Sequence, residues 1–276
     1  MNIHIAEVLG IRMRWIEQGE GVPVVLLHGI PTSPELWREV MPRVEGARCL
    51  AWELVGHGAS IPEGRGRDIS LGAQADYLAA WIDHLGLRPA ILAGHDLGGG
   101  VAQLAAASYP GLCAGLFLTN CVGYDNWPVA SVRVMRELRT GIGLLPKAAF
   151  KQVLRTFFLA GHTTWPAAEE ALALHWDHYR LHGGARAFKR QIACLRRRDT
   201  LAVVEDLPRL GLPARILWGA DDGFLKVRYG ERFARDLAAP LRRVEGGKHF
   251  TPVDCPDAVA EEINALVRAV RESEAA

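Results

Sequence analysis

The sequence predicts an α/β fold: a mainly parallel sheet flanked by helices, with a block of helices inserted in the middle of the chain. Three observations carry this reading. Short, continuous apolar runs alternate with helical periodicity from Val24 onward, the pattern of strands buried on both faces and joined by crossover helices. The alternation stops between Tyr124 and about Asp206, where helical segments follow one another without a strand, and then resumes. A chain of 276 residues is long enough for one large core with such an insertion.

Taken in order, residues 3–9 and 12–17 read as two paired strands around Gly10. After Pro23 the apolar run 24–27 is a buried strand that ends in His28-Gly29-Ile30-Pro31. Ser33 is placed to cap a helix starting at Pro34, with Leu36, Trp37, Val40 and Met41 on one face. Residues 48–54 form the next strand, followed by Gly56-His57-Gly58-Ala59-Ser60 and a loop rich in Gly, Pro and Arg. Helix 74–85, strand 89–93, helix 97–109 and strand 115–119 continue the alternation. The inserted block offers helices over 129–139, 147–159, 166–181 and 185–197, punctuated by glycines. Strand 214–218, helix 227–237, strand 241–244 and a last amphipathic helix at 258–270 complete the chain. The expected division is a core of residues 1–123 and 207–276 with a helical cap at 124–206. In an open parallel sheet, ligands bind at the carboxyl ends of the strands, where such a cap closes.

Composition narrows the function. A net charge of +1 gives no reason to expect nucleic acid, so the expected partner is a small neutral molecule. Five cysteines without a C-x-x-C spacing argue against a disulfide framework and a zinc site, and the ten histidines include no H-E-x-x-H. No metal or other cofactor is therefore expected. The first residues lack the basic and apolar regions of a signal peptide, and no apolar run reaches ~18 residues, so no membrane association is expected and the protein is read as cytoplasmic.

The chemistry centres on residues 90–100, Ala-Ile-Leu-Ala-Gly-His-Asp-Leu-Gly-Gly-Gly. An apolar strand ends at a turn carrying Asp96, and a helix begins at once, with glycines that let the chain bend sharply and the helix press on the sheet. This is the G-x-S-x-G strand-turn-helix pattern with aspartate in place of serine. At these residues the chain resembles the α/β-hydrolase superfamily, and within it the aspartate-nucleophile branch that includes epoxide hydrolases and haloalkane dehalogenases. The resemblance implies an eight-stranded, mainly parallel sheet and a nucleophile, acid, histidine order along the chain. Asp96 matches the nucleophile. A carboxylate is already ionised near neutral pH and can displace a leaving group from saturated carbon, forming an enzyme ester that an activated water must then hydrolyse. The acid is Asp222 in Gly219-Ala220-Asp221-Asp222, because the resembling families place it three residues after this glycine; Asp221 is the alternative. The base is His249 in Gly247-Lys248-His249-Phe250. The resemblance also implies an oxyanion hole from the backbone amides of Ile30 and Leu97. His95 and His28 are read as packing and turn-holding residues, and Glu53 as a loop-fixing one.

The inserted block is rich in aromatics and histidines. Trp127, Trp176, Tyr124 and Tyr179 are the candidate substrate-binding residues, and positions 175, 178, 179 and 182 share one helical face that could reach the pocket. Haloalkane dehalogenases usually place tryptophan after the nucleophile and asparagine or glutamate in the His-Gly-x-Pro turn, where this chain has Leu97 and Ile30. Epoxide hydrolases carry an apolar residue in that turn and protonate the opening ring with tyrosines, for which Tyr124 and Tyr179 are available; Leu97 departs from their pattern too. The sequence reading is thus an epoxide-hydrolase-like enzyme acting on a small hydrophobic substrate, with a dehalogenase-like enzyme as the alternative. A reading of another class is a non-catalytic ligand-binding protein on the same scaffold.

Overall fold

The computed structural model describes residues 1–275. Eight strands form one sheet in the order β1-β2-β4-β3-β5-β6-β7-β8. The first two, β1 (Asn2–Val8) and β2 (Ile11–Gln18), make an antiparallel hairpin, and β2 also pairs antiparallel with β4. From β3 (Val22–Leu27) and β4 (Ala47–Trp52) through β5 (Ala90–Asp96), β6 (Cys113–Cys121), β7 (Ala214–Gly219) and β8 (Leu241–Val244), every pairing is parallel. The continuous apolar runs have their physical cause here: Val24 to Leu27, Ile91 to Ala93, Leu116 to Leu118 and Ile216 to Trp218 are all fully buried, because helices cover both faces of the central strands.

The helices are α1 (Leu71–His84), α2 (Leu97–Ser108), α3 (Ala130–Glu137), α4 (Arg139–Ile142), α5 (Lys147–Gly161), α6 (Trp165–His182), α7 (Ala185–Ala193), α8 (Arg197–Leu201), α9 (Val227–Asp236), α10 (Thr251–Asp254) and α11 (Pro256–Ala275). Those from α3 to α8 lie in sequence between β6 and β7 with no strand among them. None of the described helices is long and apolar enough to cross a membrane.

Three local expectations differ from the structure. The helix expected from Pro34 is instead a pair of tight single turns, Pro34–Trp37 and Met41–Arg43. Pro42 lacks the amide that a continuous helix would bond to the carbonyl four residues earlier, and its ring crowds that carbonyl; Leu36, Trp37, Val40 and Met41 are nevertheless all buried. Ser33 caps nothing, because its hydroxyl is 2.7 Å from His175 Nδ1 on α6. The helices expected over 129–139 and 185–197 are each divided, with breaks at Leu138 and at Cys194 to Arg196.

Buried polar contacts tie the helical segment to the sheet. Besides Ser33 and His175, Gln191 Nε2 donates to the Gly56 carbonyl at 2.8 Å, and the amides of His249 and Phe250 donate to the Gly161 carbonyl at 2.9 and 3.2 Å. Within the segment itself, Trp127 Nε1 donates to Thr200 Oγ1 at 2.7 Å and so joins its beginning to its end.

The tightest packing is where α2 meets the sheet. A Cβ on Gly98 would lie 2.2 Å from the Leu27 carbonyl oxygen, one on Gly99 2.2 Å from Cys121 Cβ, and one on Gly94 2.4 Å from Gly99 Cα. Replacing Gly99 by Ala is expected to cost roughly 1–3 kcal/mol through overpacking. Gly72→Ala on α1, where a Cβ meets nothing within 4 Å, should be neutral or gain up to ~1 kcal/mol. Equilibrium denaturation of the two variants checks this, and an equal response would contradict it.

Candidate active site

Asp96 stands at the carboxyl end of β5, immediately before the first residue of α2. Its backbone has φ 49° and ψ −121°, a conformation that costs a non-glycine residue of order 1–3 kcal/mol and persists only where the surroundings enforce it. The α2 glycines supply that enforcement by bringing the helix against β3 and β6. The turn 28–31 approaches from the other side, so closely that a Cβ on Gly29 would sit 2.2 Å from Asp96 Oδ2. That approach lets the Ile30 amide donate to Asp96 Oδ2 at 2.9 Å. His28 holds the turn in place: its Nε2 accepts from the Leu54 amide at 3.1 Å and its Nδ1 donates to the Gly29 carbonyl at 2.9 Å, the pattern of a neutral ring. Burial holds His28 well below the usual histidine range.

Burial raises the Asp96 carboxyl above its ordinary value. His249 and the amides of Ile30 and Leu97 act against that rise and favour the ionised form. Asp96 Oδ1 makes no hydrogen bond to the described residues.

His249 follows β8, and its Nδ1 donates to Asp222 Oδ2 at 2.9 Å. A carboxylate only accepts, so the ring proton sits on Nδ1 and the lone pair on Nε2, which makes no hydrogen bond to the described residues. The ring is walled by His95, Phe250 and Phe224, with centroids 4.8, 4.9 and 5.2 Å away. Desolvation works to lower the imidazole, but the charge and hydrogen bond of Asp222, with the charges of Asp96 and Asp254, outweigh it and raise it above its ordinary 6.5. Burial likewise opposes ionisation of Asp222, and His249 together with hydrogen-bond donors brings that carboxyl below its usual range.

Those donors saturate Asp222. Oδ1 accepts from the amides of Phe224 and Leu225 at 2.7 and 3.0 Å, and Oδ2 accepts from Asn120 Nδ2 at 2.7 Å as well as from His249. Asp221 is exposed and holds none of these positions. Asn120 is a residue that sequence reasoning missed. It lies near the end of β6, fully buried, with φ 39°, and its Oδ1 accepts from the Gly219 amide at 3.0 Å. The available signal was an asparagine closing an otherwise apolar strand at the same sheet edge as Asp96. His95, the other polar neighbour, donates through Nε2 to the His249 carbonyl at 2.9 Å, and burial lowers it to about 3, so it is neutral.

Asp96 and His249 line one cavity with Ile30, Leu97, Val122, Trp127, Phe157 and other apolar side chains, including Val129, Val132 and Leu195 of the helical segment. Its volume is ≈ 40 Å³, room for a few water molecules at the ~10–15 Å³ that one requires. Of the four candidate substrate residues, Trp127 is in this wall, with its indole N–H committed to Thr200. The other three lie elsewhere, because each satisfies its polar or aromatic group within its own packing layer. Tyr124 donates to Asp236 Oδ2 at 2.8 Å, under the Arg232 guanidinium. Tyr179 donates to Gln191 Oε1 at 2.8 Å, and Trp176 packs on Phe150. His175, His178 and His182 are likewise outside the wall.

A family profile described as "alpha/beta hydrolase fold" matches residues 22–254. The chain belongs to that family. Among curated proteins, this α/β hydrolase is 28% identical to a haloalkane dehalogenase of Mycolicibacterium smegmatis, over 98% of this chain and 92% of the relative. Among solved structures, it superposes on an α/β-hydrolase-fold protein from Burkholderia ambifaria with a TM-score of 0.88 and 27% identity, covering 94% of this chain and 96% of that one. The haloalkane dehalogenase DbeA from Bradyrhizobium elkani superposes with a TM-score of 0.78 and 22% identity, over 99% of each chain.

The Asp222 carboxylate contributes most to lifting His249 against desolvation, and its removal leaves only the weaker fields of Asp96 and Asp254 to oppose it. In Asp222→Asn the His249 ring is therefore expected to titrate lower than in the wild type, as followed by NMR of the imidazole carbon-bound protons. A titration unchanged from wild type would contradict the pairing.

Proposed function

We propose that this α/β hydrolase cleaves a carbon–halogen bond at saturated carbon, through an alkyl ester on Asp96 that water activated by His249 hydrolyses. The observation that carries the proposal is the buried carboxylate with one oxygen held and the other free, beside an imidazole whose Nε2 is unengaged, in an otherwise apolar cavity. Asp96 Oδ1 is the attacking atom. It forms a bond to the substrate carbon as the carbon–halogen bond breaks, and the electron pair leaves with the halide. His249 Nε2 then removes a proton from water, whose oxygen adds to the ester carbonyl carbon. The former Oδ2 becomes an oxyanion facing the amides of Ile30 and Leu97, and each such donor is worth about 2.7–4 kcal/mol of barrier. Collapse of this intermediate breaks the bond to the alkoxide, which takes back the proton held by His249 and leaves as an alcohol, and the carboxyl gives up its remaining proton to solvent to restore the carboxylate. Asp222 keeps the imidazole in the tautomer that can act as a base, and the helical segment 124–206 acts as the cap that keeps bulk water out.

The epoxide reading loses its support with the tyrosines. A ring-opening oxygen leaves as a strongly basic alkoxide and needs an acid beside it, and the phenols of Tyr124 and Tyr179 are engaged outside the cavity. A halide is weakly basic and departs without a proton. The curated relative named as a haloalkane dehalogenase supports the same choice.

Turnover of short bromoalkanes in isotopically labelled water should place label in the carboxylate of the peptide bearing Asp96, read by mass spectrometry. Unlabelled peptide after many turnovers would overturn the mechanism. His249→Gln should accumulate the alkyl ester, visible as the added mass of the alkyl group, while Asp96→Ala should lose activity by on the order of 10⁴-fold or more.

The base must be neutral and His249 lies above its ordinary 6.5, so kcat is expected to fall as pH drops through an apparent pKa above that value. An acid limb below 6 in the pH–kcat profile would contradict the assignment of the base.

A further inference from the structure

Outside the catalytic cavity lies a second, much larger concavity of ≈ 760 Å³. The two share four wall residues, Trp127, Pro128, Val129 and Phe224, so the outer space is a vestibule that adjoins the inner one across apolar side chains. Its lining is strongly basic. Arg133, Arg136, Arg197, Lys226 and Arg228 face it, against the single carboxylate of Asp125.

These cations come from different parts of the chain: two from α3, one from α8, one from the turn before α9 and one from α9 itself. Their convergence is a product of the fold and not a solvated charge run on one helix. None of the five forms an ion pair with a carboxylate among the described residues. Arg136 donates to the Leu195 carbonyl at 2.8 Å and Arg228 lies 5.2 Å from the Tyr229 ring centroid, contacts that leave their charges uncompensated. Asp125 accepts from the Tyr229 hydroxyl at 3.1 Å. In a chain whose net charge is only +1, this is a local excess of positive charge gathered beside an apolar cavity. Such clefts concentrate anions and raise their capture by about 10–10³-fold at low salt.

We infer that the natural substrate is amphipathic, with an anionic head group held in the vestibule by these five cations and an apolar stem passing the shared wall at Trp127 and Phe224 to present a saturated carbon to Asp96. This rests on the displacement chemistry proposed above. The inner cavity alone, with its apolar walls and small volume, has no means of recognising such a head group. The vestibule adds that recognition without placing a charge near the reacting carbon.

The test uses matched pairs, an ω-bromoalkanoate and the corresponding primary amide, over a series of chain lengths. Bromide release gives kcat/KM on the wild-type enzyme at low salt and at about 0.5 M salt, where charges are screened beyond a few ångströms. Calorimetry with the unbrominated carboxylate and amide measures recognition independently of chemistry. The carboxylate is expected to be favoured about tenfold or more in both measurements at low salt, with the advantage shrinking at high salt. Arg133→Glu/Arg228→Glu, which sets the remaining Arg136, Arg197 and Lys226 against Asp125 and the two new carboxylates, should abolish the preference, and Arg133→Lys/Arg228→Lys should retain it. Equal binding and turnover of the two members, or a preference that survives charge reversal, would overturn the inference. Bromide release from amides with no preference for carboxylates would also overturn it, leaving the Asp96 chemistry standing. Preferential, salt-sensitive binding of carboxylates with no bromide release from any pair would support the vestibule and remove the reaction assigned to Asp96.

Discussion

The close approach of three backbone segments around the Asp96 carboxylate is the constraint on which the remaining features depend. The first turn of α2 lies against β3 and β6, and the turn 28–31 folds over the end of β5, so that an amide meets Oδ2 at 2.9 Å. Side chains at 29, 94, 98 or 99 would hold these segments apart, since an added Cβ would come within 2.4 Å of backbone or side-chain atoms at each position. A buried anion is costly unless donors surround it. Here the donors are backbone amides fixed by the fold, and the unfavourable dihedrals of Asp96 are the local cost of aiming the carboxylate at the cavity.

The second charged element is built from the opposite principle. Asp222 is not exposed to a cavity but saturated by two amides, Asn120 and His249. A carboxylate with that many donors stays ionised despite burial, and its charge in turn keeps the neighbouring imidazole basic. Two aspartates in one site thus have carboxyls shifted in opposite directions, Asp96 up and Asp222 down. The difference comes from how many donors each meets. The helical segment takes part in the same arrangement, because the Gly161 carbonyl receives the amides of His249 and Phe250. The loop bearing the imidazole is therefore held from the sheet side by His95 and from the helical side by the end of α5.

On the proposed reading the two cavities divide the work of recognition. The inner wall is apolar except for Asp96 and His249. The outer wall is charged. Groups inside a low-dielectric wall feel one another strongly, while cations at the screened surface act on what arrives.

Much of the sheet was legible in the sequence because parallel strands covered on both faces must be continuously apolar, and crossover helices must follow them. Strand 241–244 was read with the bounds it has, and the elbow at Asp96 was legible from glycines that have no other reason to cluster there. The single-turn elements after Ser33 were not, since apolar spacing reports which residues are buried and not whether Pro42 lets a helix run through them. Asn120 was missed because its importance lies in meeting Asp222, 102 positions later, and no local pattern encodes that distance. The sequence by itself determined most of the order of elements, because burial and turn chemistry are local, and its resemblance to the α/β hydrolases supplied the candidate reactive groups and the strand ends at which they stand. That neither Tyr124 nor Tyr179 reaches the cavity, and which five cations gather beside it, was decided only by the tertiary structure. A side chain's partner depends on where distant helices pack, and a pattern of 3.6 residues per turn specifies a face without specifying what that face meets.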